Sequence, residues 1–503
     1  MSTAWLRFLF WLYLLFLVGA DATVTNPADP DLWHRLALGE TLWKTGHFPP
    51  GDAFSYLADY QNVADHEWGS ALIFYALWQW AGPSAIVVLK LATLTVTLAL
   101  LVCAGLQNRK PTLLMAAFYA LVLLALLPSF QSTLRCMTFT HIFFALWLYW
   151  FQRERHGHPV PTYLYVLSII VWANLHGGFA IGLAWLLAVT LLALWDGPAL
   201  AAAPMGAVEL RATAPSSHPS NLFSPKTWAF RFLFCSLATL INPFGPQLWV
   251  STGRALLTTR RGFDEWAPVS WWSDLLAYPG YKLLFTGLLV ALVLQIFFRG
   301  VKRIDRPGVI LVGLFMALSL TSARHTSLFA AVAGALVPDI FPREPRIGRR
   351  SHPFRRLGFM ALGSTLVLIP LYFALGVILQ GAGLNLEYPH VACPREAVDY
   401  LQRQHIRGRL LVSFNYGSYA LWQLRGQMRV SMDGRYDLVY KPETYRRVDD
   451  FFFARDDWKT LLTTPAPDAI LVPITAAIYP KLKAEPGWQE AYHDDTDAVF
   501  LPR

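Results

Sequence analysis

Repeated apolar runs, each close in length to a membrane-spanning helix, constrain this chain more than any other feature. About 20 apolar residues are needed for a helix to cross the hydrocarbon core of a bilayer. Only 15% of the 503 residues are charged, against about 25% in a typical soluble domain. Apolar runs of suitable length lie at 5–20, 84–106, 111–128, 136–152, 161–174, 178–195, 229–248, 282–298, 308–322, 326–340 and 357–380. The sequence therefore predicts a polytopic α-helical membrane protein with about 11 spans.

The first apolar run has two interpretations. Residues 5–20 fit a membrane span, but Arg7 followed by the run from Phe8 to Gly19 also fits a secretory signal peptide with a cleavage site at 18–20. We favour a retained span. Both interpretations place the next segment, 21–67, outside the cytoplasm.

Basic residues follow the positive-inside rule, in which cytoplasmic loops carry an excess of Lys and Arg. The first outer loop, 21–67, holds eight acidic residues and only Arg35 and Lys44 as fixed cations. Loops predicted to be inside share a surplus of Arg and Lys, at 109–110, 153–155, 299–306 and 343–356. We expect a multi-pass protein of the cell membrane with a cytoplasmic N-terminus.

The chain changes character after residue 380. Residues 1–380 form the predicted transmembrane domain, in which 196–227 is a cytoplasmic loop rich in Ala, Pro and Ser. Residues 381–503 are predicted to form a small extracytoplasmic α/β domain, periplasmic in a bacterium. Its expected elements are buried strands at Arg409–Ser413 and Asp468–Val472, helices at 395–405, 442–462 and 475–485, and a hairpin at 488–501.

The acidic outer loop contains two candidate groups. Asp29 and Asp31 precede an amphipathic run, 32–43, that predicts a helix lying in the membrane interface. Such a helix would hold the carboxylates at the height of lipid headgroups, with His34 and Arg35 beside them. The second group, 65–68, contains His66 and Glu67 at the start of an aromatic belt, although an N-cap at Asp65 explains it equally well.

Cations at the outer ends of spans form a third group. A cation within an apolar segment is costly, so it generally has a partner or a function. An arginine can fork two N–H groups onto phosphate oxygens. The lysine at position 90 has an alternative interpretation, snorkelling of its ammonium group to the interface. The candidates are Lys90, Arg135, Arg324 and His325, with His176 in another outer turn.

Several classes of function lack their sequence signatures. The chain contains no Walker A motif, no G-x-G-x-x-G after a strand, no HExxH and no CxxC pair. The net charge of +9 does not indicate a nucleic-acid partner, because the basic residues collect in the predicted inner loops. A group donor used outside the cytoplasm would therefore have to arrive on a lipid.

Four segments on the predicted outer side share the order of known motifs. They are Asp29-Pro30 followed by Arg35, the run Glu265-Trp266-Ala267-Pro268-Val269-Ser270-Trp271, Arg324, and Asn415-Tyr416-Gly417-Ser418-Tyr419 followed by Asp433-Gly434. Together they resemble the GT-C superfamily of membrane glycosyltransferases, most nearly the catalytic subunit of oligosaccharyltransferase. In that family the corresponding motifs are Asp-Pro-x-x-x-x-Arg, Glu-His-Gln-Pro-x-x-Trp, an arginine at an outer helix end, and Trp-Trp-Asp-Tyr-Gly with a following Asp-Gly.

The resemblance implies transfer of a sugar from a polyprenyl-phosphate donor to an acceptor on the outer face. Asp29, Asp31 and Glu265 would be catalytic and would share a divalent metal, Mg²⁺ or Mn²⁺, which prefer oxygen ligands. Arg324, His325, Arg135 and Lys90 would hold the donor phosphate. His34, Arg35, His66, Glu67 and His176 would line the pocket. The acceptor would meet Asn415, Tyr416, Asp433 and Arg435.

The acceptor is not carried over from the family. Phe414 and Asn415 stand where the family has Trp and Asp, and the loop 129–134 lacks the family's second acidic motif. A glycan, a lipid or a protein is therefore an equally suitable acceptor. Two alternatives remain: a non-enzymatic transporter or envelope-assembly scaffold with a periplasmic binding domain, and a lipid-dependent transferase of a group other than a sugar.

Overall fold

The structure is a computed structural model that describes residues 3–24, 26–49, 51–60, 63–107, 109–130, 134–201, 223–257, 264–274, 277–299, 305–340, 371 and 383–503. Three sequence predictions lie largely or wholly outside the described residues: the span at 357–380, the basic segment at 343–356 and the loop at 196–227.

Helices dominate the first part of the described chain. They are α1 (Thr3–Val24), α2 (Pro30–Thr45), α3 (Trp68–Ala81), α4 (Pro83–Leu106), α5 (Leu113–Leu126), α6 (Met137–Arg155), α7 (Thr162–Leu175), α8 (Phe179–Ala201), α9 (Pro225–Ala238), α10 (Gln247–Leu257), α11 (Pro279–Arg299), α12 (Arg306–Ser319) and α13 (Thr326–Ile340). Short 3-10 turns at Leu127–Ser129, Asp264–Trp266 and Ala323–His325 interrupt the connections between them.

Nine of the predicted apolar runs coincide with helices. Within the described residues, α1, α4 and α11 are long and apolar enough to cross a membrane, and α5, α7, α8 and α12 contain shorter apolar helices. The run predicted at 229–248 is wrong as a single span, because α9 ends at Ala238. The side chain of Asn242 binds the carbonyl of Thr239 at 2.7 Å, and Pro243 cannot donate a helical hydrogen bond. The total of eleven spans stays a prediction.

Buried ion pairs join the helices at the end opposite the first acidic loop. Arg231 of α9 binds Glu154 of α6 at 2.6 Å, and Arg155 binds Asp305, just before α12, at 2.8 Å. Removing one partner of such a pair would leave a buried charge uncompensated, at a cost of about 3–5 kcal/mol. These pairs therefore fix how α6, α9 and α12 meet.

The tail forms the predicted α/β domain around a five-stranded sheet. The strands are β1 (Gly408–Leu411), β2 (Met428–Val430), β3 (Ala469–Pro473), β4 (Trp488–His493) and β5 (Asp497–Pro502), in the order β2-β1-β3-β5-β4. The first three are parallel, and the hairpin of β4 and β5 adds antiparallel pairs. The helices are α14 (Arg395–Arg403), α15 (Phe414–Gln423), α16 (Tyr436–Val439), α17 (Pro442–Phe452), α18 (Thr460–Thr463) and α19 (Tyr479–Ala484).

Most of the secondary-structure elements predicted for the tail are present, but one predicted helix is too long. The helix predicted at 442–462 ends at Phe452, and Ala454 takes a positive φ of 54° that breaks the helical path. The helix α15 and the strand β2 match the helix start and the strand–turn that residues 414–435 suggest as the alternative to a functional motif. Both lie in the segment that resembles the acceptor-side motif of the GT-C family.

The tail is docked on the first acidic loop. The backbone of Phe54 and Tyr56 pairs with Val430 at the edge of β2, at 3.0 Å for each hydrogen bond. The helix α15 packs on α2, where the Trp33 ring lies 5.2 Å from that of Tyr419. The opposite face of α2 approaches α3 so closely that a Cβ at Gly39 would collide with the carbonyl of Ala71. The helix predicted at 32–43 thus exists within α2, but protein covers it on both sides and buries most of its apolar residues, whereas Trp43 at its end stays exposed.

We expect Gly417→Ala to destabilise the tail. A Cβ at Gly417 would overlap the backbone carbonyl of Met432, where α15 crosses the turn after β2. Overpacking of this kind costs about 1–3 kcal/mol. Thermal unfolding of the purified protein measures the loss. The matched control is Gly487→Ala, where a Cβ meets nothing within 4 Å, and equal stability of the two variants would contradict this account of the packing.

Candidate active site

Four charged side chains from distant parts of the sequence form a continuous row. Arg135, just before α6, donates hydrogen bonds to Asp29 at the start of α2 and to Glu265 in the turn Asp264–Trp266. Arg324, in the turn Ala323–His325, lies 3.6 Å from the other carboxylate oxygen of Glu265. The sequence predicted these four residues as candidates, and the structure brings them together.

Neighbouring groups hold Arg324 in place. Its guanidinium lies over the Trp266 ring, 4.5 Å from the centroid, and one nitrogen is 3.9 Å from the sulfur of Met137. The two turns are joined directly, since Ser322 donates its hydroxyl to the carbonyl of Glu265 at 2.9 Å. The Arg324 guanidinium is therefore held over the indole ring, a position that a cation favours.

Asp29 and Asp31 occupy different environments. Asp29 is 1% exposed, caps α2 by accepting the backbone N–H of Asp31 at 2.9 Å, and binds Arg135. Asp31 points out of the first turn and is exposed. Within the described residues its carboxylate accepts no hydrogen bond. Asp29 is thus an anchoring group, and Asp31 is the acid open to a substrate.

Electrostatics favour the protonated form of Asp31. Although the Asp31 side chain is accessible, the protein packed around its carboxyl displaces much of the nearby water. This desolvation, followed by the like charge of Asp29, raises the pKa of Asp31 to about 7. Arg135 acts in the opposite direction, and Glu67 adds further negative charge. A carboxyl with a pKa near neutrality is suited to accept or release a proton during a reaction.

A buried charge triad lies beneath Asp31. Arg35, the fourth residue after it, binds Asp65 at 2.5 Å and Glu67 through its other terminal nitrogen. Burial alone would raise the pKa of Glu67, but Arg35, His66 and His176 outweigh burial and hold that pKa well below its usual range. The triad fixes the end of the acidic loop against the middle of α2.

His176 reaches the same carboxylate from the turn after α7. Its Nε2 lies 3.3 Å from Glu67, while its Nδ1 accepts the backbone N–H of Gly178 at 2.9 Å and faces the Thr140 hydroxyl at 2.7 Å. These contacts place the proton of a neutral ring on Nε2. Burial lowers the pKa of His176 to about 3, so its imidazole is neutral. The Nε2 of His66 approaches the same oxygen of Glu67, at 3.8 Å.

The tail closes the back of the site through a polar network. His34 faces the Ser418 hydroxyl at 3.3 Å, and Ser418 accepts the backbone N–H of Gly434 at 2.9 Å. Gly434 lies so close to Asp31 that a Cβ there would be 2.5 Å from the carboxylate. Burial lowers the pKa of His34 to about 3, and its Nε2 has no hydrogen-bond partner among the described residues.

Two of the predicted acceptor-side residues are buried structural groups. Arg435 binds Asp433 at 2.6 Å and Asp52 of the first loop at 2.7 Å. Burial would raise the pKa of Asp433, but Arg435 outweighs burial and holds it at about 2. Tyr416 is buried against the sheet, and Asn415 is exposed. The structure therefore places Asp433 and Arg435 behind Asp31, where they do not line an open acceptor cleft.

Two other predicted residues lie apart from the row of charges. Lys90 is 2% exposed and binds Asn26 at 3.2 Å, near the connection to the tail, so its ammonium group neither snorkels nor meets Arg324. His325 turns towards Thr321, 3.0 Å from its hydroxyl. Of the cations predicted to bind the donor phosphate, Arg135 and Arg324 are therefore the two that converge on Glu265.

The arrangement does not present a metal site. Arg135 lies between the Asp29 and Glu265 carboxylates that a shared cation would bind. No group of three His, Cys, Asp or Glu side chains is placed to hold a metal within the part of the chain that the structure describes. The Mg²⁺ or Mn²⁺ expected from the resemblance stays a prediction, and no step below depends on it.

Asp52, Ser418, Trp266 and Thr140 contribute to the site but were not predicted as site residues. Trp266 and Ser418 belong to the segments that resemble GT-C motifs, so the sequence could have indicated them as site residues. Asp52 and Thr140 have no motif around them, and their roles depend on contacts 383 and 36 residues away.

Comparison with solved structures shows a shared fold. The chain is similar to the crystal structure of the Archaeoglobus fulgidus oligosaccharyltransferase in the apo form, with a TM-score of 0.58 and 10% identity over 92% of this chain and 69% of that chain. It is also similar to a cryo-EM structure of the arabinofuranosyltransferase AftD from mycobacteria, with a TM-score of 0.51 and 12% identity over 100% of this chain and 42% of that one. Both are GT-C membrane glycosyltransferases, so the resemblance in fold predicted from the motifs is confirmed. No protein-family model matches the chain, and no curated protein matches its sequence.

We expect Arg35→Met to destabilise the protein strongly. The substitution leaves Asp65 and Glu67 buried without their cation, a change that costs about 3–5 kcal/mol for a buried pair. Thermal unfolding in detergent measures the effect. Lys44→Met is the control on the same helix, because its ion pair with Glu40 is exposed and should leave the unfolding midpoint unchanged. Equal midpoints for both variants would mean that the triad does not support the fold.

Proposed function

We propose that the chain is an integral membrane glycosyltransferase that moves a sugar from a polyprenyl-phosphate-type lipid donor to an acceptor on the extracytoplasmic face. The observation that carries this proposal is the row from Asp31 and Asp29 through Arg135 and Glu265 to Arg324. It sets an acid of near-neutral pKa and a fixed guanidinium in one site. The GT-C-like fold adds support.

Arg324 is the proposed ligand of the donor phosphate. A planar guanidinium can donate two parallel hydrogen bonds to phosphate oxygens. Stacking on Trp266 and the contact with Glu265 orient this plane before the donor binds. As the bond between the anomeric carbon and the phosphate oxygen breaks, negative charge develops on the leaving polyprenyl phosphate. A preorganised cation at that position stabilises the developing charge.

Asp31 is the proposed general base. The acceptor's hydroxyl or amide would attack the anomeric carbon, its proton would pass to the Asp31 carboxylate, and polyprenyl phosphate would leave. Asp29 would position the reacting groups through Arg135 and the first turn of α2. Gly434 would set the position of Asp31, because a larger residue there would push the carboxylate away.

An apolar groove beside the site supports a lipid donor. It has a volume of about 610 Å³ and is lined by Trp68, Ile170, Val171, Leu240, Ile241 and their neighbours. Trp68 follows Glu67 directly, and its indole N–H binds Asn174 at 3.0 Å. An isoprenoid chain lying in this groove would end near the charged row. The acceptor is left as a glycan, a lipid or a protein, presented from the side of the tail.

The divalent metal is proposed separately from this mechanism. Mg²⁺ or Mn²⁺ would enter the site only if Arg135 released Asp29 or Glu265. Transfer measured in EDTA, and again after each ion is restored, tests this requirement without changing the protein.

We expect Arg324→Gln to reduce transfer by about 10²–10³-fold, the range seen when one group that stabilises developing charge is removed. Because the lost interaction is strongest in the transition state, kcat should fall more than KM for the donor rises. A cell-free assay with candidate polyprenyl-phosphate sugars measures both. The control, Arg403→Gln, removes an exposed arginine of the tail and should leave transfer unchanged. Full activity of Arg324→Gln would exclude its role.

The pH dependence of transfer tests Asp31. Since its pKa is raised to about 7, the reactive carboxylate form should appear as the pH rises, so kcat/KM should increase between pH 5 and pH 8. Asp29→Asn removes the neighbouring like charge and lowers that pKa, so the rise should move to lower pH while the helix cap is retained. Asp31→Asn should abolish the rise together with most of the activity. A flat profile in the wild-type protein would contradict the assignment.

A further inference from the structure

A basic cavity lies at the end of the helix bundle opposite the candidate active site. It has a volume of about 500 Å³, and its charged lining consists of Arg7 from α1, Arg109 after α4, Arg153 from α6 and His158. Trp11, Tyr149 and Leu106 supply an apolar rim. A cavity lined by both cations and aromatic or aliphatic groups matches the amphipathic character of a phospholipid.

The positive charges that line this cavity are not balanced by acidic residues of its lining. None of its lining residues is acidic. Arg109 is paired with Asp339 of α13. Arg7 and Arg153 form no ion pair with any residue that the structure describes, although Arg153 lies 6.0 Å from the centre of the Tyr149 ring. Two guanidinium groups thus face the cavity without a protein counter-charge in the described chain, which favours an anionic ligand.

The depth of the cavity fits a lipid headgroup. Arg135 of the candidate active site precedes α6, and Arg153 lies in the last turn of the same helix. The 19 residues of α6 rise about 28 Å at 1.5 Å per residue. This length is close to the roughly 30 Å thickness of a bilayer's hydrocarbon core. If the active site faces one headgroup layer, the basic cavity faces the other.

We propose that this cavity binds the phosphate group of an anionic phospholipid from the leaflet opposite the active site. Arg7 and Arg153 would fork onto the phosphate oxygens, and Trp11 with Leu106 would contact the start of the acyl chains. A bound lipid would bridge α1 to α6 and so stabilise the first helix within the bundle. Basic cavities between transmembrane helices are a common place for anionic headgroups.

The test compares lipids by thermal unfolding and by native mass spectrometry of the full-length protein in detergent. Phosphatidylglycerol should raise the unfolding midpoint and remain bound, whereas zwitterionic phosphatidylcholine should do neither. Glycerol phosphate supplies the same phosphate without acyl chains. Protection by glycerol phosphate equal to that by phosphatidylglycerol would overturn the lipid assignment in favour of a soluble phosphate ligand.

Substitutions of the arginines in the cavity test whether phosphatidylglycerol binds there. Arg7→Gln and Arg153→Gln should each weaken phosphatidylglycerol binding about fivefold, the change that corresponds to about 1 kcal/mol for one cation near a membrane surface. Arg306→Gln removes an exposed arginine at the same end of the bundle, outside the cavity, and should bind as the wild type does. Arg153→Lys keeps the charge and should retain most of the binding, which separates loss of the site from loss of folding. Unchanged binding in the Arg7→Gln and Arg153→Gln variants would refute the proposal.

Discussion

The candidate active site depends on the bridge that Arg135 makes between Asp29 and Glu265. Asp29 belongs to the first acidic loop and Glu265 to a turn more than two hundred residues later, and no backbone hydrogen bond joins these two segments among the described residues. Asp29 is buried, and its carboxylate would be costly to bury without the guanidinium, whereas Glu265 is partly exposed and binds the same guanidinium from the other side of the bridge. The same bridge therefore builds the site and holds its two halves together.

The tail acts as the rear wall of this site. Its buried Arg435 joins Asp433 to Asp52 of the first loop, and its Gly434 lies so close to Asp31 that a side chain at this position would collide with the carboxylate. In the same region, Trp33 of α2 packs against Tyr419 of α15 and holds the two helices together. Because the tail contacts the first acidic loop so closely, the geometry around Asp31 depends on the stability of the tail. Substitutions in the tail can therefore alter the site from a distance.

The sequence predicted the residues of the charged row better than their roles. Arg135 and Arg324 stood out because a cation at the end of an apolar segment is costly, and Asp29 because it begins the acidic outer loop. Glu265 was singled out only by the resemblance of its loop to a GT-C motif, and the placement of all four on the predicted outer side was the reason to expect them together. The burial of Asp433 could not be foreseen in this way. Its hydrogen-bond network includes Asp52, which is far away in the sequence. A sequence does not distinguish a buried charged residue from an exposed one unless its partner is known. The place of Lys90, away from the charged row, could not be foreseen for the same reason. Its partner Asn26 carries no charge that would have suggested a pairing.

The balance of charge in the site explains why one acid differs from the rest. Five carboxylates, those of Asp29, Asp31, Asp65, Glu67 and Glu265, share three guanidinium groups, those of Arg35, Arg135 and Arg324. Four of the acids have a direct arginine contact, and Asp31 has none among the described ion pairs. The excess negative charge consequently falls on Asp31, whose proton is the one most easily exchanged near neutral pH.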